Sequence, residues 1–258
     1  MKKVKYILSG LFCLSFGQSM AQDTLVVMKA GQVVYKRAVS EVDSIVFNPK
    51  TTISNPTTTV TDISGNVYPA ITIGTQVWMG ENLRVEKYND GTAITLVTDN
   101  AVWAANSTNQ TKLPMMAWYN NDKATHTANK NGALYNFYAV DTKKLCPIGW
   151  HVPSDAEWLT LIKYLGTGPG LKLKSTSGWN LVNSGSNGTN EVNFAALPGG
   201  ICYGSGYFSD LGYLGLWWTA STNGPDAAAD WYMQNSSNTV HHTYGNQELG
   251  LSVRCLRD

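Results

Sequence analysis

Three linked phrases in the second half of the chain constrain its fold most. The first runs Leu145-Cys146-Pro147-Ile148-Gly149-Trp150-His151-Val152-Pro153-Ser154-Asp155-Ala156-Glu157-Trp158. The second is the glycine- and aromatic-rich Gly212–Ser221 with its core Gly215-Leu216-Trp217-Trp218-Thr219. The third closes the chain as Ser252-Val253-Arg254-Cys255-Leu256-Arg257-Asp258. Within the first phrase Ser154 stands at a helix N-cap, with Glu157 three residues on. That is a capping box, in which each side chain satisfies an otherwise orphan backbone donor. Pro153 stops the preceding strand and Gly166 ends the helix. Trp158, Leu161, Ile162 and Leu165 then fall at i, i+3, i+4 and i+7, so Ser154–Leu165 is predicted to bury one stripe.

The N-terminus reads as a secretory signal. Lys2, Lys3 and Lys5 precede the apolar run Tyr6–Phe16, and Ser19-Met20-Ala21 offers small residues for cleavage before Gln22. The run is shorter than the roughly 20 apolar residues a spanning helix needs, and no later segment reaches that length. Cys13 lies in the signal, but Leu11 and Phe12 before it do not make a lipobox. Loss of residues 1–21 removes three lysines and no acid, so the formal charge falls from +1 to −2. No basic cluster remains to track phosphates, which argues against nucleic acid as a partner. Cys146, Cys202 and Cys255 remain, and in an oxidising compartment two of the three can pair. The expected location is outside the cytoplasm, in the periplasm or on the cell surface of a Gram-negative type of cell.

The expected organisation is a signal over 1–21, a short β-rich element over 22–50, a Thr/Ser linker over 51–59 and a main domain over 60–258. Thr24–Met28, Val33–Val39 and Ser44–Phe47 are expected strands in the short element. Asn66–Leu83 reads as a hairpin turning at Gly74-Thr75. Asn100–Asn131, rich in Asn, Thr, Ala and Lys, reads as an irregular excursion. A helix is expected over Gly132–Lys144, and only short strands and loops after Gly166.

The order of motifs resembles the Fibrobacter succinogenes major paralogous domain. The pieces are Asp62–Tyr68, Ile73–Met79 with Glu81-Asn82-Leu83, Tyr88-Asn89-Asp90-Gly91, Gly132-Ala133-Leu134-Tyr135-Asn136, Leu197-Pro198-Gly199-Gly200 and the three phrases above. The resemblance covers nearly the whole main domain and implies secretion. A Pro-Ser-x-Ala-Glu-Trp helix start with a terminal Val-Arg-Cys strand is also similar to the formylglycine-generating enzyme group. This second resemblance implies an α+β, C-type-lectin-like fold, with two helices beside small antiparallel sheets and the chain ends meeting in one of them. It also implies that the phrases carrying Cys146 and Cys255 meet. Those two cysteines are expected to form a structural disulfide, and Cys202 to be a buried thiol. The enzyme resemblance offers a redox or copper-binding pair as the alternative.

Function is less legible. No Gly-x-Ser-x-Gly elbow occurs. His241-His242 are adjacent on a predicted strand and point to opposite faces, so they do not share one metal ion. Asp210, Asp226 and Asp230 form no Asp-x-Asp-x-Asp run, and the sugar-binding triplets of calcium-dependent lectins are absent. No metal and no cofactor are expected. Trp78, Trp158 and Trp218 sit on apolar stripes and are expected in the core. Trp179, in a Ser/Gly/Asn-rich loop, and Trp231 are candidates for a shallow binding site. Tyr207 and Tyr213 join them, since they lie with Tyr203 and Phe208 among closely spaced glycines. The expected function is a non-catalytic binding or adhesion module for glycan or a surface protein. The alternatives are an oxidase related to the formylglycine-generating group, which needs two reactive thiols side by side, and a purely structural surface component.

Overall fold

The computed structural model describes residues 24–29, 32–38, 58–108, 111–181 and 185–258. The chain divides into two compact units, Met1–Ser54 and Asn55–Asp258. The expected signal over 1–21 and the expected strand Ser44–Phe47 lie outside the described residues. In the first unit β1 (Thr24–Lys29) and β2 (Gln32–Ala38) form an antiparallel pair.

The second unit mixes α and β structure in several small, mostly antiparallel sheets. It opens with β3 (Thr58–Thr61), β4 (Val67–Ile73) and β5 (Gln76–Met79), the last two joined at Gly74-Thr75. Thr58 and Thr59, expected as the end of a linker, belong to β3. Their β-branched side chains favour extended backbone, and they pair with Ala70 and Pro69. Next come β6 (Thr95–Leu96), α1 (Asn100–Thr108), β7 (Met115–Ala117), a 3₁₀ turn over Tyr119–Asn121 and α2 (Lys123–Ala128). The region read as irregular is therefore largely structured. Its anchors are tertiary: Trp103 of α1 is buried and donates to the Glu248 carbonyl 145 residues away.

The helix expected over Gly132–Lys144 is shorter than its apolar pattern. Leu134 and Tyr135 form β8 (Leu134–Tyr135) against β7, and the helix α3 (Phe137–Asp141) starts only after Asn136, whose side chain accepts from the Ala139 amide. Sheet pairing outcompeted the helical pattern there. β9 (Trp150–His151), α4 (Asp155–Leu165) and α5 (Pro169–Leu173) follow. The chain then forms β10 (Ile201–Cys202), β11 (Phe208–Ser209), β12 (Leu214–Thr222), β13 (Ala227–Gln234), β14 (His241–Asn246) and β15 (Leu256–Arg257). Strands β12 and β13 are nine and eight residues long, so the region after Gly166 is not only short strands.

The capping box at α4 is present. Ser154 Oγ accepts from the Glu157 amide at 3.4 Å, and Glu157 Oε2 accepts from the Ser154 amide at 2.7 Å. Gly166 leaves the helix at φ 64°, a left-handed angle that favours glycine. Replacing Ser154 by Ala is expected to cost about 1 kcal/mol. Urea denaturation would show a lower midpoint at unchanged slope.

Strand β15 slots between β5 and β9, giving the sheet order β3-β4-β5-β15-β9. The end of the chain thereby meets the start of the unit, and a disulfide joins Cys146 to Cys255. A second sheet, β12-β13-β14, divides the interior. Successive strand residues point to opposite faces. Trp217 therefore packs with Trp158, Trp231 and Phe194, while the adjacent Trp218 packs with Phe137 and Tyr135 on the other side. The Trp-Trp pair marks a strand buried on both faces. No helix among the described residues is long and apolar enough to cross a membrane.

Candidate functional site

The residues that carry the motif resemblance are mostly internal. Asn82 is buried, and its Oδ1 accepts from Trp217 Nε1 at 2.9 Å and from Arg254 Nη2 at 2.6 Å. Its amide nitrogen donates to the Asn131 carbonyl at 2.8 Å. Arg254 is buried too. It donates to the Phe194 carbonyl and lies over the Phe194 ring, 4.1 Å from its centroid. Burial lowers its pKa to about 9, which still leaves the guanidinium charged at neutral pH. Asn82, Trp217 and Arg254 thus tie three distant motifs into one hydrogen-bonded hub. That role is structural.

Eight of the nine tryptophans are buried, which corrects the expectation for two of them. Trp179 is only 3% exposed; its Nε1 donates to the Ala196 carbonyl at 3.1 Å, and the Lys174 ammonium lies 5.2 Å from its ring. Trp231 is 6% exposed, stacks on Trp158 and donates to Asp155 Oδ1 at 2.7 Å. The loop around Trp179 looks polar in sequence, yet the ring finds its acceptor inside. Trp231 lies on the central strand of its sheet, where α4 covers it. Neither ring can form a surface platform.

The tyrosines behave differently. In the β10–β11 hairpin Cys202 and Phe208 are paired and buried, so the residues beyond them at the tip, Tyr203 and Tyr207, turn outward. They are 41% and 64% exposed. The tip is closed by a 2.8 Å bond from the Tyr203 amide to the Tyr207 carbonyl. It is also tightly seated: a Cβ at Gly206 (φ +79°) would stand 2.4 Å from the Asn100 carbonyl of α1. Tyr203 Oη donates to Asp210 Oδ2 at 3.4 Å. Tyr213, 42% exposed, follows Gly212, and its amide donates to the Asp210 carbonyl at 3.0 Å.

Beside these tyrosines lies a cleft of about 680 Å³. One wall is the 3₁₀ turn and α2, contributing Tyr119, Asn120, Asp122, His126 and Asn129. The other is the loop Ser177–Asn180, with Leu197, Pro198, Leu211 and Gly212 between them. Asn120 adopts φ 49°, a left-handed angle that asparagine tolerates better than most residues. The loop wall is held by a buried clamp. Lys174 Nζ donates to the carbonyls of Ser186 and Ser237 at 3.0 Å and reaches that of Gln234 at 3.4 Å. Asn235 Nδ2 then donates to the Asn180 carbonyl at 2.8 Å.

His126 is 5% exposed, and its Nδ1 is buried without a hydrogen-bond partner among the described residues. Burial pushes its pKa below the usual imidazole value, with Asp122 opposing weakly, so the ring is neutral at pH 7. Asp122 caps α2 by accepting from the Thr125 amide at 3.0 Å. The Tyr119 ring lies 5.5 Å from that of His126. Burial raises the Tyr119 pKa, and its ring lies 5.3 Å from that of Phe208, which sets this wall of the cleft against the β10–β11 hairpin. Tyr207 and Tyr213 are exposed as the sequence reading expected, while His126 and the asparagines of the cleft were not singled out by it. Their one signal was the Asn-rich composition of a stretch read as irregular.

Two further clusters bear on chemistry. His151 Nδ1 lies 2.6 Å from Asp258 Oδ1, and its Nε2 lies 3.1 Å from Glu157 Oε1. Burial works against Glu157, but the Ser154 donors and His151 outweigh it and hold the carboxyl below its ordinary pKa. Ser154 Oγ donates to Glu157 Oε2 at 2.7 Å and also serves the helix cap. Cys202 is buried, and burial pushes its thiol up to about 12.

No curated protein and no solved structure matches the chain. Residues 71–257 match the sequence profile of the Fibrobacter succinogenes major domain, and the chain belongs to that family.

Proposed function

We propose that this protein is a non-catalytic binding module that works outside the cytoplasm and takes a glycan in the cleft beside the β10–β11 hairpin. The observation that carries the reading is an amide-rich cleft whose lining residues Leu211 and Gly212 lie in sequence between the outward Tyr207 and Tyr213. Amides donate and accept, as sugar hydroxyls do. A tyrosine ring offers a flat apolar face for the C–H surface of a pyranose. The lectin-like arrangement is part of the proposal. It is supported by the meeting of β15 with β5 and β9, and by the Cys146–Cys255 bridge. The bridge also supports an oxidising compartment. An oxidase needs paired, reactive thiols in an open cleft. Among the described residues Cys202 is the one free cysteine, and it is buried and protonated at neutral pH, which favours the binding reading.

A glycan array probed with the mature protein tests the proposal. Tyr207→Ala is expected to weaken capture at least tenfold while leaving the melting temperature within a degree or two, since an exposed ring contributes little to the core. A drop in stability of several kcal/mol, as for a buried aromatic, would place the ring in the core instead.

A further inference from the structure

We infer that the cleft selects an uncharged saccharide over a sulfated or uronic one, and that His126 hydrogen-bonds the bound sugar. The inference rests on the glycan reading above.

Charge comes first. Among the described residues no Lys or Arg lines the cleft, while Asp122 does, and Asp210 immediately precedes the lining Leu211. The basic groups nearest in the chain are committed elsewhere. Lys123 pairs with Glu86 at 2.7 Å and Lys130 with Glu81 at 2.6 Å. Lys174 is buried among backbone carbonyls. A sulfate or carboxylate entering the cleft would meet Asp122 and no lining counter-charge, and any hydration it gives up would go uncompensated. An uncharged ligand avoids that cost.

His126 supplies the second observation. A buried polar atom without a partner is unusual, because such groups are nearly always satisfied. The ring lines the cleft; the unpartnered Nδ1 is itself enclosed, so Nε2 is the nitrogen a ligand hydroxyl can reach, and it would give the ring its side-chain hydrogen bond. Neutral imidazole donates from one nitrogen and accepts at the other, and a hydroxyl does both, so either tautomer is served. The cleft volume lies inside the range of about 300–1,000 Å³ typical of small-ligand sites.

The test is calorimetric titration of the mature protein with hexasaccharides. The neutral arm holds β-1,4-glucose, α-1,4-glucose and β-1,4-mannose oligomers. The anionic arm holds an oligogalacturonate and a sulfated glycosaminoglycan hexamer. The expected result is binding of at least one neutral probe, with the anionic probes at least tenfold weaker. His126→Gln should weaken the bound neutral probe about tenfold or more. In case that variant folds poorly, the imidazole ¹⁵N resonances of His126 in the unmodified protein should shift when the same probe is added. Anionic probes binding better than neutral ones would overturn the selectivity and leave the glycan reading standing. A neutral probe that binds without moving the His126 resonance and without loss in His126→Gln would overturn the role of His126. No binding in either arm, together with a blank array, would remove the glycan reading itself.

Discussion

Replacing both Cys146 and Cys255 by serine is expected to destabilise the Asn55–Asp258 unit by about 4–5 kcal/mol. The bridged residues are 109 apart, and a closed loop of that length restricts the unfolded chain by about that amount in the loop-entropy account. The local structure makes the loss hard to absorb. β15 has two residues and holds its place between β5 and β9 through only three residue pairings. Cys255 sits immediately before it. Without the bridge, the end of the chain depends on those pairings, on the Arg254 hub and on flanking bonds such as the Met79 amide to the Cys255 carbonyl at 3.0 Å and His151 to Asp258 at 2.6 Å. Urea denaturation of the double variant, compared with the unreduced parent, measures the difference. A loss below about 1 kcal/mol would show that the bridge adds little beyond the packing of the final strand. Mass analysis after alkylation of the native protein should find one bridge and a protected Cys202, which becomes reactive only on unfolding.

Asp230→Asn is expected to remove a large pH dependence of stability. Asp230 is 1% exposed, and its Oδ1 has no partner among the described residues. Burial raises its pKa to about 7, and the Gly245 amide opposes this only in part. In the unfolded chain the group titrates near its ordinary value of about 3.9. Below pH 4 the carboxyl is protonated in both states and costs the fold no charge burial. As pH rises from about 4 to about 7, the unfolded state ionises freely while the folded state resists, so stability falls. Above about pH 7 the penalty is complete, on the order of 4 kcal/mol. Asparagine cannot ionise, so the stability of Asp230→Asn relative to the parent should grow by about that amount across this window. Taking the difference cancels the groups held below their ordinary values, such as Glu81 and Glu157, whose contributions have the opposite sign. Urea midpoints of both proteins at unit steps from pH 4 to 8 would test this. Parallel curves would mean that Asp230 finds a compensating partner in solution.

The legible parts of the fold are those governed by short-range chemistry. The capping box at Ser154 and Glu157 spans three residues, and the helix stripe through Leu165 spans one element, so both could be read directly. The turn at Gly74-Thr75 was readable for the same reason. The helix expected at Gly132–Lys144 failed because Leu134 and Tyr135 had a sheet partner in β7, which no local pattern announces. The stretch from Asn100 to Asn131 failed because its order comes from distant contacts, such as Trp103 with Glu248. Within the candidate site, Tyr207 and Tyr213 were found because glycines flank them and leave little backbone to hide against. His126 was invisible, since a single histidine in a polar stretch carries no spacing.

What the sequence determined alone is therefore the capped helix α4, the β4–β5 hairpin and the aromatic character of the core. Its resemblance to a family added the pairing of Cys146 with Cys255. Only the tertiary structure decided which rings face outward. Trp179 and Trp231 turn in because Ala196 and Asp155 accept their indole protons, from 17 and 76 residues away. It also decided that Lys174, Arg254 and Asp230 are interior, and that the Asn-rich segment walls a cleft with a loop more than 50 residues further on. A hydrogen-bond acceptor or a packing surface at that separation leaves no local trace. The direction of a side chain is set by whichever partner the fold brings within reach.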